Sequence, residues 1–473
     1  MDTMTTVVPQ DSASAEEPRS RSGNDEVARL RRTFASGRTR DLAWRIRQLA
    51  AIERLLAERE QEIAAALAAD LGRSAHYAWL GDIASSRAEA AFARRHLRHW
   101  ARRRRTRLPL ALQPGRAFYQ YEPLGVVLII GPWNYPVYLT LGPLIGAIAA
   151  GNCAVVKPSE HAPASSALIA RLLPAYLDPD AVAVLEGDAS VSQELLAARV
   201  DHVLFTGGPE IGKKIMAAAA ERLIPVTLEL GGKSPVIIAG DGDVAVAARR
   251  VAWTKLLNSG QTCIAPDYVL VDEKLAEQFV AELTATVETF QQGEPAAQRI
   301  VSPRQLERIA GLLTGAGGTV VLGGGVDREA QAIEPTVIVS PDPAAPLMTE
   351  EIFGPVLPVL PVASVDAAIE FVNSRPKPLA LYLFTGSGDV KRRVLESTSS
   401  GGVVINHLTM HCLVPQLPFG GVGNSGMGAY HGEWGFQTFS HRKAVLSKPA
   451  RPDPSLLYPP YTEAKKKIMR RFF

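Results

Sequence analysis

The run VVLIIGPWNYPVYLTLGPLIGAIAAGNCAVV, residues 126–156, carries no charged side chain and is longer than a bilayer span requires. Its interior argues against a span. Pro132, Pro136 and Pro143, together with Gly131, Asn134, Gly142, Gly146 and Gly151, cut it into pieces too short to cross as one helix. A buried strand over VVLII, a loop over GPWNYP, a buried helix and a second strand over CAVV fit better, and strand–helix–strand is the unit of a parallel sheet covered by helices.

The same alternation continues outward. AVAVL (181–185), HVLFT (202–206), VTLEL (226–230) and PVIIAG (235–240) are near-continuous apolar runs, as expected of strands covered on both faces. Beyond residue 240 a second α/β unit is expected: a helix at 243–257, strand 268–272, helices 274–291 and 303–315, strand 319–324, and strands near 336–340 and 356–360. Upstream, Leu42, Ile46, Leu49, Ile52, Leu55, Leu56, Ile63 and Leu67 recur at three- and four-residue spacing, which predicts an amphipathic helix over 41–70. A second helix is expected at 81–104. Its arginine-rich end, Arg94 to Arg107, reads as a solvated face and helix terminus in preference to a nucleic-acid or membrane contact, because Ala91, Leu97 and Trp100 supply a buried stripe.

At 473 residues with 47% hydrophobic and 21% charged residues, the composition is that of a globular protein of several domains. Lys and Arg total 51 against 48 Asp and Glu, too even for a dedicated nucleic-acid binder. Cys153, Cys263 and Cys412 are odd in number and widely spaced, which indicates neither a disulfide framework nor a metal site and fits a reducing, cytoplasmic setting. Residues 1–24 are polar, lack the apolar core of a secretory signal and read as a disordered lead-in. Residues 451–461 are rich in proline. The tail AKKKIMRRFF that follows mixes five basic residues with Ile468, Met469, Phe472 and Phe473, leaving weak peripheral membrane contact and a packed or frayed terminus as its two readings.

Several residues carry the types that covalent chemistry needs. GQTCIAP sets Cys263 just beyond a helix end, where backbone amides could favour a thiolate; Cys153, inside an apolar strand, reads as a small buried hydrophobe. VTLELGGKSP leaves Glu229 at the end of an apolar strand, where burial would raise its pKa toward a general base's range; a capping or ion-paired glutamate is the alternative. FTGGPEIG follows a strand with Gly207, Gly208 and Gly212 at a helix start, an arrangement able to face a pyrophosphate or simply to turn the chain. Asn134, in a proline-framed loop, could donate to an oxyanion.

Taken together, GPWNYP, KPSE, FTGGPEIG, LELGGKSP, GQTCIAPDYVL, EEIFGPVLP and PFGGVGNSGMGAYHG, in this order, resemble the NAD(P)-dependent aldehyde dehydrogenase superfamily, most closely its class 3 branch, over residues 40–448. The resemblance implies an α/β fold: a Rossmann-like cofactor domain (25–106 and 124–230, with a return at 425–439) interleaved with an α/β catalytic domain (231–424), and a small β oligomerisation arm (107–123 and 440–450). It implies Cys263 as nucleophile, Glu229 as the base for the deacylating water, and Asn134 with the Cys263 amide as oxyanion hole. It further implies Lys157 and Glu160 at the adenosine ribose, Gly207, Gly208, Gly212, Leu230 and Gly231 lining the cofactor cleft, and Glu351 with Phe353 at the nicotinamide ribose. NAD is the expected cofactor, with NADP possible, since Glu160 would repel a 2′-phosphate. An apolar aldehyde and a homodimer are the expected partners. A CoA-acylating relative and a non-catalytic cofactor-binding protein are the alternatives. Two departures from the family pattern stand out: Gly208 replaces a serine or asparagine, and Asn406-His407 replaces Asn-Asp, which puts His411 and Cys412 either at the substrate mouth or in loop packing.

Overall fold

A computed structural model describes residues 22–292 and 298–472. Three sheets carry most of the architecture. The first runs, edge to edge, Gly426–Met427, Val226–Glu229, His202–Thr206, Val126–Ile130, Cys153–Lys157 and Val182–Val184, all parallel except the short first strand. Chain order reverses beside Val126–Ile130: the next two strands lie on one side of it and the following two on the other. The carboxyl ends of Val126–Ile130 and His202–Thr206 therefore flank a switch point, where parallel sheets open a ligand crevice.

The second sheet runs Thr319–Leu322, Thr336–Val339, Val356–Val362, Tyr268–Asp272, Pro235–Ile238, Ala380–Phe384 and Gly402–Ile405, antiparallel only at its first edge. An antiparallel three-stranded sheet joins Arg104–Thr106, Arg116–Pro123 and Ser440–Ser447 and stands apart from the other two.

The uncharged run forms the strand Val126–Ile130, a loop, the helix Tyr138–Ala150 and the strand Cys153–Lys157, every residue of the three elements buried. Pro143 does not break the chain as its type suggests; it sits inside the helix. Gly146 lets that helix touch the helix Gly432–Thr438, since a Cβ there would lie 3.2 Å from the Gly435 backbone.

Other expectations need correction. The helix expected at 41–70 is two, Leu42–Glu58 and Glu60–Leu71, hinged at Arg59 with φ −112° and ψ 19°. The apolar spacing carries on across the hinge, so periodicity could not register it. The next long helix is Ala84–Trp100, entered through a wide turn at Trp79–Ile83, and its arginine-rich sequel turns into the strand Arg104–Thr106. Arg94 pairs with Glu53 and Arg104 with Glu433, while most other arginines of this run face solvent. The strands Ala380–Phe384 and Gly402–Ile405, absent from the sequence reading, extend the second sheet. A helix begins at Gly23, inside the expected lead-in, whose residues 1–21 lie outside the described ones. The tail forms a helix, Glu463–Phe472. Among the described residues no helix is long and apolar enough to cross a membrane.

Candidate active site

The helix Val244–Leu256 ends in a turn where Asn258 (φ 53°), Ser259 (φ 50°) and Gly260 (φ 70°) are all left-handed. Two consecutive non-glycine residues in that region store strain, of the kind concentrated at functional sites. The strain is held by hydrogen bonds: Ser259 Oγ donates to the Gln298 carbonyl at 2.6 Å, and Asn258 Nδ2 donates to the carbonyls of Gln261 and Asn134 at 3.0 Å each. Gly260 cannot be replaced without movement, because a Cβ there would sit 2.2 Å from the Gly354 carbonyl oxygen. The turn delivers Cys263 to the wall of a cavity of about 150 Å³, lined mainly by carbon, including Tyr138, Leu139, Trp253, Cys412 and Tyr430.

Asn134 meets the same turn from the first sheet's side. Its Nδ2 donates to the Gln261 carbonyl at 3.1 Å, leaving the second N–H of that amide for another acceptor. Its loop is gripped from beneath by an ion pair buried on both sides, Arg73 with Asp82. Asp82 accepts from the Val137 and Tyr138 amides at 3.0 and 2.9 Å, and Arg73 donates to the Asn134 carbonyl. No local pattern marks Arg73 or Asp82 in the sequence; only the fold shows that they hold Asn134.

Glu229 ends the strand Val226–Glu229, and the antiparallel strand Gly426–Met427 pairs beside it. Both its carboxylate oxygens are buried without a hydrogen-bond partner. Burial pushes its pKa well above the ordinary carboxylate value. Burial, then the nearby Glu351 and Glu229 carboxyls, likewise raises the Cys263 thiol. The Cys263 thiol, the Glu229 carboxyl and the Asn134 amide thus come from three different elements, residue types able to act as nucleophile, base and oxyanion donor.

Glu351 leans on Gly231, where any Cβ would collide with its carboxylate, and accepts from the Gly232 amide. Its pKa is pushed up to about 8 by burial and by Asp267. The loop around it is clamped: Lys233 pairs with Asp267 and donates to the Leu347 and Glu350 carbonyls at 2.8 and 2.7 Å, while Arg308 donates to the Glu351 and Ile352 carbonyls at 3.0 and 2.7 Å. Phe353, at φ 49°, meets Trp133 edge to face at 5.3 Å. Lys233 and Asp267 also escaped the sequence reading.

At the carboxyl edge of the first sheet, buried Lys157 pairs with Glu160, whose pKa stays low because the ammonium outweighs partial burial. The three glycines of FTGGPEIG divide by cause. At Gly207 a Cβ would strike the Phe205 ring at 2.4 Å and at Gly212 it would strike Leu230 at 2.8 Å, whereas at Gly208 it would meet nothing within 4 Å. Gly208 alone borders open space at the start of the helix Pro209–Ala220. Leu230, mostly buried, forms the floor beneath Gly212. Cys412 lines the cavity with Cys263, while His411 packs against Phe419 at 5.6 Å between ring centres; Cys153 is buried in its strand with its thiol pushed up to about 12.

Comparison with known proteins agrees with this geometry. The profile of the aldehyde dehydrogenase family matches residues 14–445. Mouse "Aldehyde dehydrogenase family 3 member A2" is 47% identical over 93% of this chain and 92% of its own length. Rat "Aldehyde dehydrogenase, dimeric NADP-preferring" is 45% identical over 90% and 94%. Among solved structures, the substrate-bound AldH of Staphylococcus aureus superposes with a TM-score of 0.91 at 40% identity, covering 95% of this chain and 99% of that one. An indole-3-acetaldehyde dehydrogenase complexed with NAD+ superposes at 0.83 with 27% identity over 90% and 89%. With nearly its whole length matched by the family profile and by these relatives, this chain belongs to the aldehyde dehydrogenase family.

Proposed function

We propose that this protein oxidises aldehydes to carboxylic acids with NAD(P)+, by covalent catalysis at Cys263. The observation that carries the reading is Cys263 in the wall of an apolar cavity, with the unpartnered Glu229 carboxyl near enough to raise its pKa and the Asn134 amide bonded to the Gln261 carbonyl two residues before it.

Once the Cys263 thiol has passed its proton to solvent, the thiolate sulfur attacks the aldehyde carbon and the electron pair of the C=O moves to oxygen. The free N–H of Asn134 and the Cys263 amide stabilise that oxyanion, a contribution of roughly 3–4 kcal/mol per donor in comparable sites. As the carbonyl re-forms, the aldehyde hydrogen leaves with its bonding pair; a bound nicotinamide ring supplies the hydride acceptor. What remains on Cys263 is a thioester. Glu229 takes a proton from water, the hydroxide adds to the thioester carbon, and the acid departs as sulfur recovers its electrons. A buried carboxyl with a raised pKa suits that proton transfer, and it favours the hydrolytic outcome over transfer to CoA.

The cofactor cleft fits a dinucleotide. Gly208 leaves open room at a helix N-terminus for a pyrophosphate, Lys157 and Glu160 are placed to bind a ribose, and Gly231 lets the Glu351 carboxylate close against the backbone. Glu160 carries negative charge and favours NAD over NADP. We assign residues 25–106 and 124–230, with 425–439, to cofactor binding, 231–424 to catalysis, and 107–123 with 440–450 to contact between two copies. The carbon-rich cavity wall selects apolar aldehydes, the basic tail adds weak peripheral contact with lipid, and three unpaired thiols suit the reducing cytoplasm.

The test is reduced-nucleotide formation by wild type, Cys263→Ala and Glu229→Gln across short aliphatic, long aliphatic and aromatic aldehydes. Cys263→Ala should lose turnover by about 10⁴-fold or more. Glu229→Gln should lose steady-state turnover by about 10²–10⁴-fold while keeping a single-turnover burst. Turnover that survives in Cys263→Ala would refute the covalent route, and acyl-CoA formed in place of acid would refute the hydrolytic one.

A further inference from the structure

The run GAYHG contributes His431, a residue with no part in the chemistry above. It is buried, with φ 81° and ψ 137°, a backbone setting that side chains other than glycine rarely adopt. Neighbours hold it there. Its ring stacks on Tyr430 at 4.2 Å between centres, meets Phe419 edge to face at 5.3 Å and lies beside Tyr138 at 5.8 Å. Glu89, buried in the helix Ala84–Trp100, ties the backbone behind it by accepting from the Gly432 amide at 2.6 Å.

His431 and Tyr138 both reach the wall of the Cys263 cavity. The Tyr138 hydroxyl lies 3.4 Å from the Cys412 carbonyl and 3.4 Å from His431 Nδ1, and that nitrogen lies 3.6 Å from the second oxygen of Glu89. These separations exceed the roughly 2.5–3.2 Å of well-made hydrogen bonds. Other polar groups of the same wall are spent at short range: the Tyr135 hydroxyl on Thr262 at 3.0 Å, Thr254 on the Arg250 carbonyl at 2.8 Å and Ser85 on the Leu80 carbonyl at 3.1 Å. Burial, then the Cys412 thiol and the Glu89 carboxyl, push the Tyr138 pKa well above its ordinary value, so the hydroxyl keeps its proton. One corner of a carbon-lined cavity is therefore polar and loosely bonded. Such groups are costly to bury until a further partner satisfies them.

We propose that this corner receives a neutral hydroxyl on the substrate, so that the preferred aldehydes have an apolar body of one ring with a hydroxyl on it, the carbonyl carbon at Cys263 and the hydroxyl at Tyr138 and His431. A volume of about 150 Å³ has room for one benzene-sized ring. A hydroxyl both donates and accepts, so it can take the Tyr138 proton and give its own to His431 or Glu89. A carboxylate at the same place would meet the Glu89 carboxyl, and two such groups at one site resist joint ionisation. The assignment rests on the reading of this cavity as the aldehyde site and adds the polar group that the site selects.

The test compares 3- and 4-hydroxybenzaldehyde with their methyl counterparts on the full chain, at a pH that keeps the phenols protonated, with carboxybenzaldehydes as the anionic control. The kcat/KM of the better hydroxylated isomer should exceed that of its methyl counterpart by about tenfold or more, mainly through KM. Tyr138→Phe, which removes one oxygen, should bring that ratio to within about twofold of one. Glu89→Gln should raise kcat/KM for the carboxylated aldehyde by about tenfold. Phenol and toluene give the same comparison without turnover: phenol should protect Cys263 from iodoacetamide at about tenfold lower concentration, and Tyr138→Phe should erase the difference. Equal handling of hydroxyl and methyl compounds by wild type, in turnover and in protection, would overturn the proposal. A hydroxyl preference that survives in both Tyr138→Phe and His431→Phe would overturn the corner as its source. Wild type that oxidises no aldehyde yet is protected selectively by phenol would sink the catalytic reading and uphold this one.

Discussion

Glu229 has the least comfortable setting of any residue in the site: a carboxyl in a strand end with both oxygens buried and unbonded. Burial holds its pKa well above the ordinary carboxylate value, so as the base proposed for deacylation it should ionise at higher pH than an exposed glutamate does, and the resulting rise of the deacylation rate with pH should vanish in Glu229→Gln. The same shift carries a stability sign. A carboxyl whose folded pKa lies above its unfolded value favours the fold while protonated, and that advantage is lost as pH rises from the unfolded pKa through the folded one. Thermal melts at alkaline pH should therefore find Glu229→Gln losing less stability with rising pH than wild type, and parallel losses would show that the carboxyl is already ionised in the fold. GQTC and LELGG set Cys263 and Glu229 apart from their surroundings, but their proposed roles come from the resemblance to a family and not from either setting alone. Arg73, Asp82 and Asp267 were not legible in the sequence, because their work is to hold a loop distant in sequence, and isolated charges carry no local sign of a distant partner. Asn258 lies between: the run NSG advertises a turn, but not that three residues in succession are left-handed.

At the scale of elements, two joints position the chemistry. The first is the buried ion pair beneath the Asn134 loop. Arg73→Met strips buried Asp82 of its ion-pair partner, which should cost about 3–5 kcal/mol of stability, read by denaturant titration, and should lower turnover more than cofactor affinity because Asn134 drifts. The second is the glycine contact between the helices Tyr138–Ala150 and Gly432–Thr438. Gly146→Val forces those backbones apart and should cost about 1–3 kcal/mol, read by the same titration. Long buried strands announced themselves by composition, since VVLII has no other stable place in a soluble fold. The strands Ala380–Phe384 and Gly402–Ile405 went unread because ALYLF follows a proline-rich turn and GVVI is only four residues long, too little for a period to emerge. The hinge at Arg59 was invisible for the opposite reason: its apolar rhythm is uninterrupted.

The third sheet shares no strand with the two larger ones, and most of Ser440–Ser447 is exposed. An isolated sheet of this kind is the natural place for a second copy to pair. The proposed pairing of two copies on this sheet predicts that deleting residues 440–473 lowers the mass found by light scattering, and an unchanged mass overturns it. Overall organisation was legible as alternating units, whereas the way the chain doubles back on itself was not, since return strands as short as Gly426–Met427 leave almost no trace in sequence. That return has a consequence in time. Glu229 gains its neighbouring strand only when residues 426 and 427 arrive, and Arg116–Pro123 gains its partner only with Ser440–Ser447. Pairings so distant in sequence close slowly. During synthesis the first sheet can assemble early with its edge bare, but the buried carboxyl beside the nucleophile is completed among the last events. A fragment stopped short of residue 426 would keep Cys263 and lack the strand that pairs beside Glu229.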